Sequence, residues 1–116
     1  METDCLFCRI VAGEIPATVV RETETTLAFR DISPKAPTHI LVIPKEHFAD
    51  VATLAQADPA TAGALLETAA TVAEHEGLTV DGFRLIFNTG PWGGQEVFHA
   101  HAHLLGGAPL GPMLAR

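Results

Sequence analysis

Three histidines stand at alternate positions, His99, His101 and His103, in the segment EVFHAHAHLLGG (96–107). They are half of the chain's 6 histidines. Alternate residues of a strand point to one face, so an extended segment lines the three imidazoles up in a row. Two chemistries suit such a row. Neutral imidazoles can converge on a metal ion. Alternatively, one imidazole attacks as a nucleophile while its neighbours orient it and bind an anion. A row of solvated side chains on an exposed sheet face is the uneventful alternative, although Ser, Thr or Lys would serve that purpose equally well. Phe98, Ala100, Ala102 and Leu104 face the other way and read as core. The two alanines imply that something bulky, such as a long helix, approaches closely behind them.

The surroundings add two features. Upstream, NTGPWGGQ (88–95) is a glycine-containing loop able to bring backbone N–H groups close to a phosphate. In FRDI (29–32) an acid sits beside apolar residues at a strand end, a place to hold a base and a ribose. A second constellation is Cys5-x-x-Cys8. Its cysteines are too close to close a useful loop as a disulfide. In a reducing compartment the pair reads as metal ligands, a redox pair or plain core residues.

The elements that must position these groups follow from pattern. Residues 4–12 read as a short helix capped by Asp4, with Leu6, Phe7, Ile10 and Val11 as its apolar stripe and Gly13 at its end. ATVVRE (17–22) and TTLAFRDI (25–32) read as a hairpin. SPKAP (33–37) is a loop, and THILVIPK (38–45) is a buried strand because its apolar run is nearly continuous. Asp58 and Pro59 open a long helix in which Leu65, Leu66, Ala69, Val72 and Ala73 recur at three-to-four spacing, and Gly77 stops it. GFRLIFN (82–88) and EVFHAHAHLL (96–105) are the last two strands, and the tail 108–116 is Pro/Gly-rich and irregular. Short connections between several strands predict antiparallel pairing in an α+β domain.

The chain has 116 residues, 47% hydrophobic and 18% charged, the composition of one soluble globular domain, 1–116. The formal net charge of −7 speaks against nucleic acid or anionic lipid as a partner, without excluding a small phosphorylated ligand. No apolar run approaches a membrane span, and the N-terminus METDCLFCRI lacks the pattern of a secretory signal. The expected location is cytoplasmic.

HAHAHLL (99–105) resembles the signature of the histidine triad superfamily, His-φ-His-φ-His-φ-φ. CLFCRIVAGEIPA, LAFRDISPKAPTHILVIPKEH, GFRLIFNTG and GGQEVFHAHAHLLGG resemble, in order, the blocks of its Hint branch, so the resemblance spans nearly the whole chain. It implies a five-stranded antiparallel sheet carrying a short N-terminal helix and one long helix. It also implies a purine nucleotide phosphoramidase that releases a nucleoside monophosphate through a covalent nucleotidyl-histidine, with no organic cofactor. Residue by residue, His101 matches the nucleophile and His103 a phosphate contact. Asn88, Gly94 and Gln95 match further phosphate-side and ribose-side contacts, Asp31 the acid on the ribose hydroxyls, and Phe29 and Ile32 the base pocket. His39 matches a histidine that orients the catalytic one, with a satisfied core histidine as its alternative.

Glu96 stands near the leaving group, where eukaryotic members carry a serine. An ionised carboxylate cannot donate a proton, so its role stays open. The chain resembles the bacterial zinc-binding type, in which Cys5, Cys8, His47 and His99 match a structural zinc site. The resemblance further implies a symmetric homodimer whose C-terminal tail can reach the partner's pocket. Two other classes of function remain at this stage. One is a metal-dependent hydrolase with its ion on the triad itself. The other is a nucleotide-binding scaffold with vestigial catalysis.

Overall fold

The computed structural model describes residues 4–114. Residues 1–3 and 115–116 lie outside the described residues, and with them the ends of the expected domain and of the 108–116 tail. The chain forms α1 (Leu6–Val11), β1 (Val19–Glu22), β2 (Thr26–Arg30), β3 (Thr38–Pro44), α2 (Val51–Ala57), α3 (Pro59–His75), β4 (Phe83–Phe87) and β5 (Ala102–Gly106). The strands make one five-stranded sheet in the order β1-β2-β3-β5-β4, with every neighbouring pair antiparallel. No described helix is long and apolar enough to cross a membrane.

Local chemistry explains most boundaries. The long helix starts where Asp58 accepts the Thr61 amide at 3.1 Å and Pro59 takes the first helical position. Gly77, at φ +73°, follows its end in the left-handed conformation that favours glycine. The first helix differs from the expected one. Its N-cap is Cys5, not Asp4: the Cys5 sulfur accepts the Cys8 amide at 3.3 Å, so the helix starts later than Asp4 would set it. The second helix was not expected at all. Asp50 caps it by accepting the Thr53 amide at 2.8 Å, but only Leu54 of its residues is buried, so it shows no apolar stripe.

The last strand is also shorter than 96–105. It begins at Ala102, and residues 96–101 leave the ladder. On that side β3 ends at Pro44, which has no N–H to give, and the Pro44 carbonyl is taken by the His99 side chain at 2.8 Å. The Ala100 amide turns instead to the Phe48 carbonyl at 2.7 Å.

The sheet's two faces have different contents. Ala28, Ile40, Val42, Ala102 and Leu104 pack with Leu65, Ala69, Val72 and Ala73 of α3 into the larger core. Ala100 and Ala102 belong to that core, which accounts for the small residues between the histidines. The opposite face carries Leu27, Phe29, Leu41 and Ile43 against Phe7 of α1. Strand parity places His39 and His103 on this second face, because Leu41 lies directly across from His103 and His39 across from Leu105. A buried hydroxyl pair, Thr26 and Thr68 at 2.8 Å, joins the β1–β2 hairpin to α3.

Leu65 is 1% exposed at the centre of the larger core. Leu65→Ala is expected to cost about 2–5 kcal/mol, read from the midpoint of urea unfolding at a fixed metal concentration. A change within about 0.5 kcal/mol, the range of a surface substitution, would contradict this packing.

Candidate functional site

Only His103 of the three triad histidines lies in a strand, so the expected single row breaks into separate placements. His99 is fully buried and faces the cysteines. His101 Nδ1 is 2.7 Å from the His99 carbonyl. A carbonyl only accepts, so Nδ1 carries the proton and Nε2 keeps its lone pair. The Phe7 ring meets His101 edge-on at 5.1 Å between centroids, and meets His99 at 5.9 Å. Burial lowers the His101 pKa, against the opposing pull of its backbone hydrogen bond and of Asp31. The imidazole is therefore neutral and nucleophilic near pH 7.

His103 and His39 form the next contact, Nδ1 to Nε2 at 2.9 Å. The Lys35 amide donates to His39 Nδ1 at 3.1 Å, which leaves the His39 proton on Nε2. His39 then donates to His103 Nδ1, and the His103 proton sits on Nε2, where it can be given to an anion. Burial, followed by the neighbouring His101 and His39, pushes His103 down to about 4. His39 is lowered as well, by burial first, despite Asp31 Oδ2 at 3.5 Å. Asp31, His39 and His103 have the spacing to approach an ion. The His39–His103 hydrogen bond closes that gap instead, so their lone pairs do not converge.

A different set does converge. Cys5 Sγ lies 3.4 Å from His99 Nδ1, Cys8 Sγ 3.4 Å from His47 Nδ1 and 3.5 Å from His99 Nδ1, and the two Nδ1 atoms are 3.2 Å apart. The four donor atoms all lie within 4.8 Å of one another. His99 Nε2–H donates to the Pro44 carbonyl at 2.8 Å, which turns the Nδ1 lone pair toward the sulfurs. Bonds of about 2.3 Å to sulfur and about 2.0 Å to nitrogen, at tetrahedral angles, separate donors by roughly 3.3–3.8 Å. The observed spacing fits that figure, and two thiolates with two imidazoles suit a borderline-soft divalent ion. Burial pushes His99 down to about 4, which keeps it neutral as a ligand must be.

A cleft of about 480 Å³ opens beside α1. Phe7, Ile10, Phe29 and Leu41 supply apolar walls, and Asp31, Ile32, Lys35 and Glu96 stand at its edges. Ile32 is 97% exposed, a lip of the cleft rather than a buried wall. Asp31 Oδ1 accepts the Ser33 amide at 2.7 Å, fixing the carboxylate. Asn88, at the end of β4, is half-buried, and Glu96 is exposed. Gln95 is buried, and its side chain ties loops together: it accepts the Gly90 amide at 2.9 Å and donates to the Ala49 and Val97 carbonyls at 2.7 and 3.0 Å. Gly94 takes a left-handed φ of +82° in the same loop.

Sequence reasoning missed three contributors. Phe7 was visible only as part of an apolar stripe, though its place between Cys5 and Cys8 puts it beside the cluster. The Lys35 amide and the Pro44 carbonyl fix histidine tautomers through backbone atoms, which carry no residue-type signal.

The HIT domain model matches residues 12–110. A purine nucleoside phosphoramidase of Escherichia coli strain K12 is 49% identical over 115 residues, covering 99% of this chain and 97% of that protein. A 14 kDa zinc-binding protein of Zea mays is 48% identical over 111 residues, covering 94% of this chain and 86% of that protein. Among solved structures, a HIT family hydrolase from Clostridium thermocellum superposes with a TM-score of 0.93 at 42% identity, covering 99% of this chain and 100% of that one. A match of this extent in both sequence and structure has one consequence: the chain belongs to the HIT domain family.

Proposed function

We propose that this protein is a purine nucleoside phosphoramidase that works through a nucleotidyl-histidine at His101. One observation carries the mechanism. The His101 Nδ1–H donates to the His99 carbonyl at 2.7 Å, which leaves the Nε2 lone pair of a neutral imidazole for attack. The near-half identity to a phosphoramidase over almost the full chain supports the substrate class.

Nε2 of His101 attacks the α-phosphorus, the bond from phosphorus to the leaving nitrogen breaks, and that nitrogen takes a proton from solvent and departs as the amine. Water then attacks the phosphorus and releases a proton to solvent, the bond to the imidazole breaks to restore the neutral ring, and the nucleoside monophosphate leaves. The His99 carbonyl stabilises the positive charge that the ring acquires while it is substituted. His103 gives its Nε2–H to a phosphoryl oxygen, and the Lys35–His39–His103 chain holds that proton on the correct nitrogen. The purine lies among Phe7, Phe29 and Ile32, and Asp31 takes the ribose hydroxyls. Asn88 and the loop at Gly94–Gln95 flank the phosphate, with Gln95 acting through the loop it braces. Glu96, on the rim, accepts a hydrogen bond from the leaving amine.

Zinc is the proposed occupant of Cys5, Cys8, His47 and His99, in keeping with the zinc-binding relative. With four protein donors, these residues would hold the ion as a cross-link and not as a reagent. The role is structural, tying α1 to the segment that leads into the nucleophile. We also propose a homodimer joined through exposed sheet edges, where β1 and β4 lack an outer neighbour in this chain. A cytoplasmic location suits cysteines that are not joined as a disulfide. The acidic net charge offers no attraction to nucleic acid or anionic lipid.

Rapid quenching after mixing with an adenosine phosphoramidate is expected to reveal, by intact mass, an acid-labile adduct of one nucleoside monophosphate. His101→Ala should lack the adduct and lose about 10⁴-fold or more in kcat, the scale of removing a nucleophile. Full turnover in that variant would refute the mechanism. Elemental analysis is expected to find about one zinc per chain, as one four-ligand site requires. The zinc should fall to background in Cys8→Ser, and chelation should lower Tm and slow adduct formation in the remaining folded protein by about tenfold without abolishing it. Loss of the adduct on chelation, with the fold intact, would move the ion into the chemistry.

A further inference from the structure

The nucleotide chemistry proposed above makes no use of the two cysteine sulfurs. They differ in access. Cys8 is 2% exposed, whereas Cys5 is partly exposed and borders a second cavity, of about 620 Å³, together with Asp4, Leu6, His47 and Phe98. Their sulfurs lie within 4.8 Å of each other, in the first turn of one helix. An accessible sulfur with a shielded one beside it is the arrangement of a peroxide-reactive cysteine and its resolving partner.

We propose that Cys5 is an oxidation site for hydrogen peroxide, that Cys8 resolves it, and that the resulting disulfide releases the metal ion. The Cys5 thiolate attacks the O–O bond, giving a sulfenic acid and a hydroxide that is protonated to water. The Cys8 thiolate then attacks the Cys5 sulfur, forming the S–S bond and expelling a second hydroxide, also protonated to water. The two thiolates lose two electrons, the peroxide gains them, and the divalent ion leaves to solvent.

The consequence reaches the active site through His99, whose ring is a ligand and whose carbonyl holds His101 Nδ1–H. Phe7, between the two cysteines, rests on both rings. Oxidation therefore loosens the ring and the aromatic wall that fix the nucleophile. This last link rests on the function proposed above, while the sulfur chemistry does not.

The test uses the zinc-loaded full chain treated with hydrogen peroxide. Zinc release is followed with a chromogenic chelator, and remaining thiols are trapped with iodoacetamide and counted by mass. Zinc is expected to leave in step with thiol loss, the intact mass to fall by about two hydrogens, and dithiothreitol with added zinc to restore both. Phosphoramidate turnover should drop about tenfold or more, the scale on which a lost supporting contact lowers activity. In Cys8→Ser, dimedone should capture a sulfenic acid at Cys5 and no intrachain disulfide should form. Retention of zinc and both thiols, under peroxide that converts the exposed Met113 to its sulfoxide, overturns the proposal. Disulfides formed only between chains, or a protein that takes up no zinc, overturn it equally. Absence of turnover before any peroxide is added refutes the phosphoramidase reading alone, since zinc and thiols are read without it.

Discussion

The 2.7 Å hydrogen bond from His101 Nδ1 to the His99 carbonyl is the constraint around which the rest is arranged. It joins a ring to a carbonyl only two residues back and occupies one of that carbonyl's two lone pairs. The segment lies outside the strand, which begins at Ala102. Leaving the ladder frees His99 to turn its ring toward the cysteines, and lets Ala100 find its partner at Phe48. One local bond therefore fixes the His101 tautomer, within a segment whose other histidine is turned toward the cysteines.

Burying several imidazoles so close together would be unfavourable if any were charged. Burial pushes His99 and His103 down to about 4 and lowers His39 and His101 too. Neutral rings still need partners, because an unmatched buried donor or acceptor costs about 1–3 kcal/mol. The structure meets this need with backbone groups: the Lys35 amide for His39, the Pro44 carbonyl for His99 and the His99 carbonyl for His101. Each partner also selects a tautomer. Satisfaction of buried polarity and preparation for chemistry are thus achieved by the same bonds.

Much of this was legible in the residues. Asp58 and Pro59 mark the start of α3 because capping and ring geometry are local effects, and THILVIP reads as a buried strand because both faces of β3 are covered. The cluster of Cys5, Cys8, His47 and His99 followed from the family resemblance, and the structure brings those four together, whereas His39, expected to orient His101, is hydrogen-bonded to His103 instead. What escaped notice depends on tertiary context. The second helix buries only Leu54, so it lacks the periodicity by which a helix is recognised. The alternation of HAHAH mimics a strand, but Pro44 opposite cannot donate, and side chains claim the carbonyls that a strand would use. A cysteine sulfur at a helix N-cap is not among the residues usually expected there, so Asp4 read as the cap in place of Cys5.

The division of labour between the two sheet faces explains why the cluster of Cys5, Cys8, His47 and His99 sits where it does. The face against α3 holds a continuous apolar core that needs no cross-link. The other face must remain open enough to admit a nucleotide, so it cannot be closed by a long packed helix. Its cover is α1, only 6 residues long and too short to persist through its own hydrogen bonds. Packing of Phe7 on Phe29, Leu41 and Ile43 holds one side of it. The sulfurs, set against His47 and His99, hold its first turn. A short helix fixed at one end gives the cleft a firm apolar wall without filling it. The same Phe7 ring that forms this wall is then held at 5.1 Å from His101, so anchoring the helix and orienting His101 are one mechanical problem with one solution.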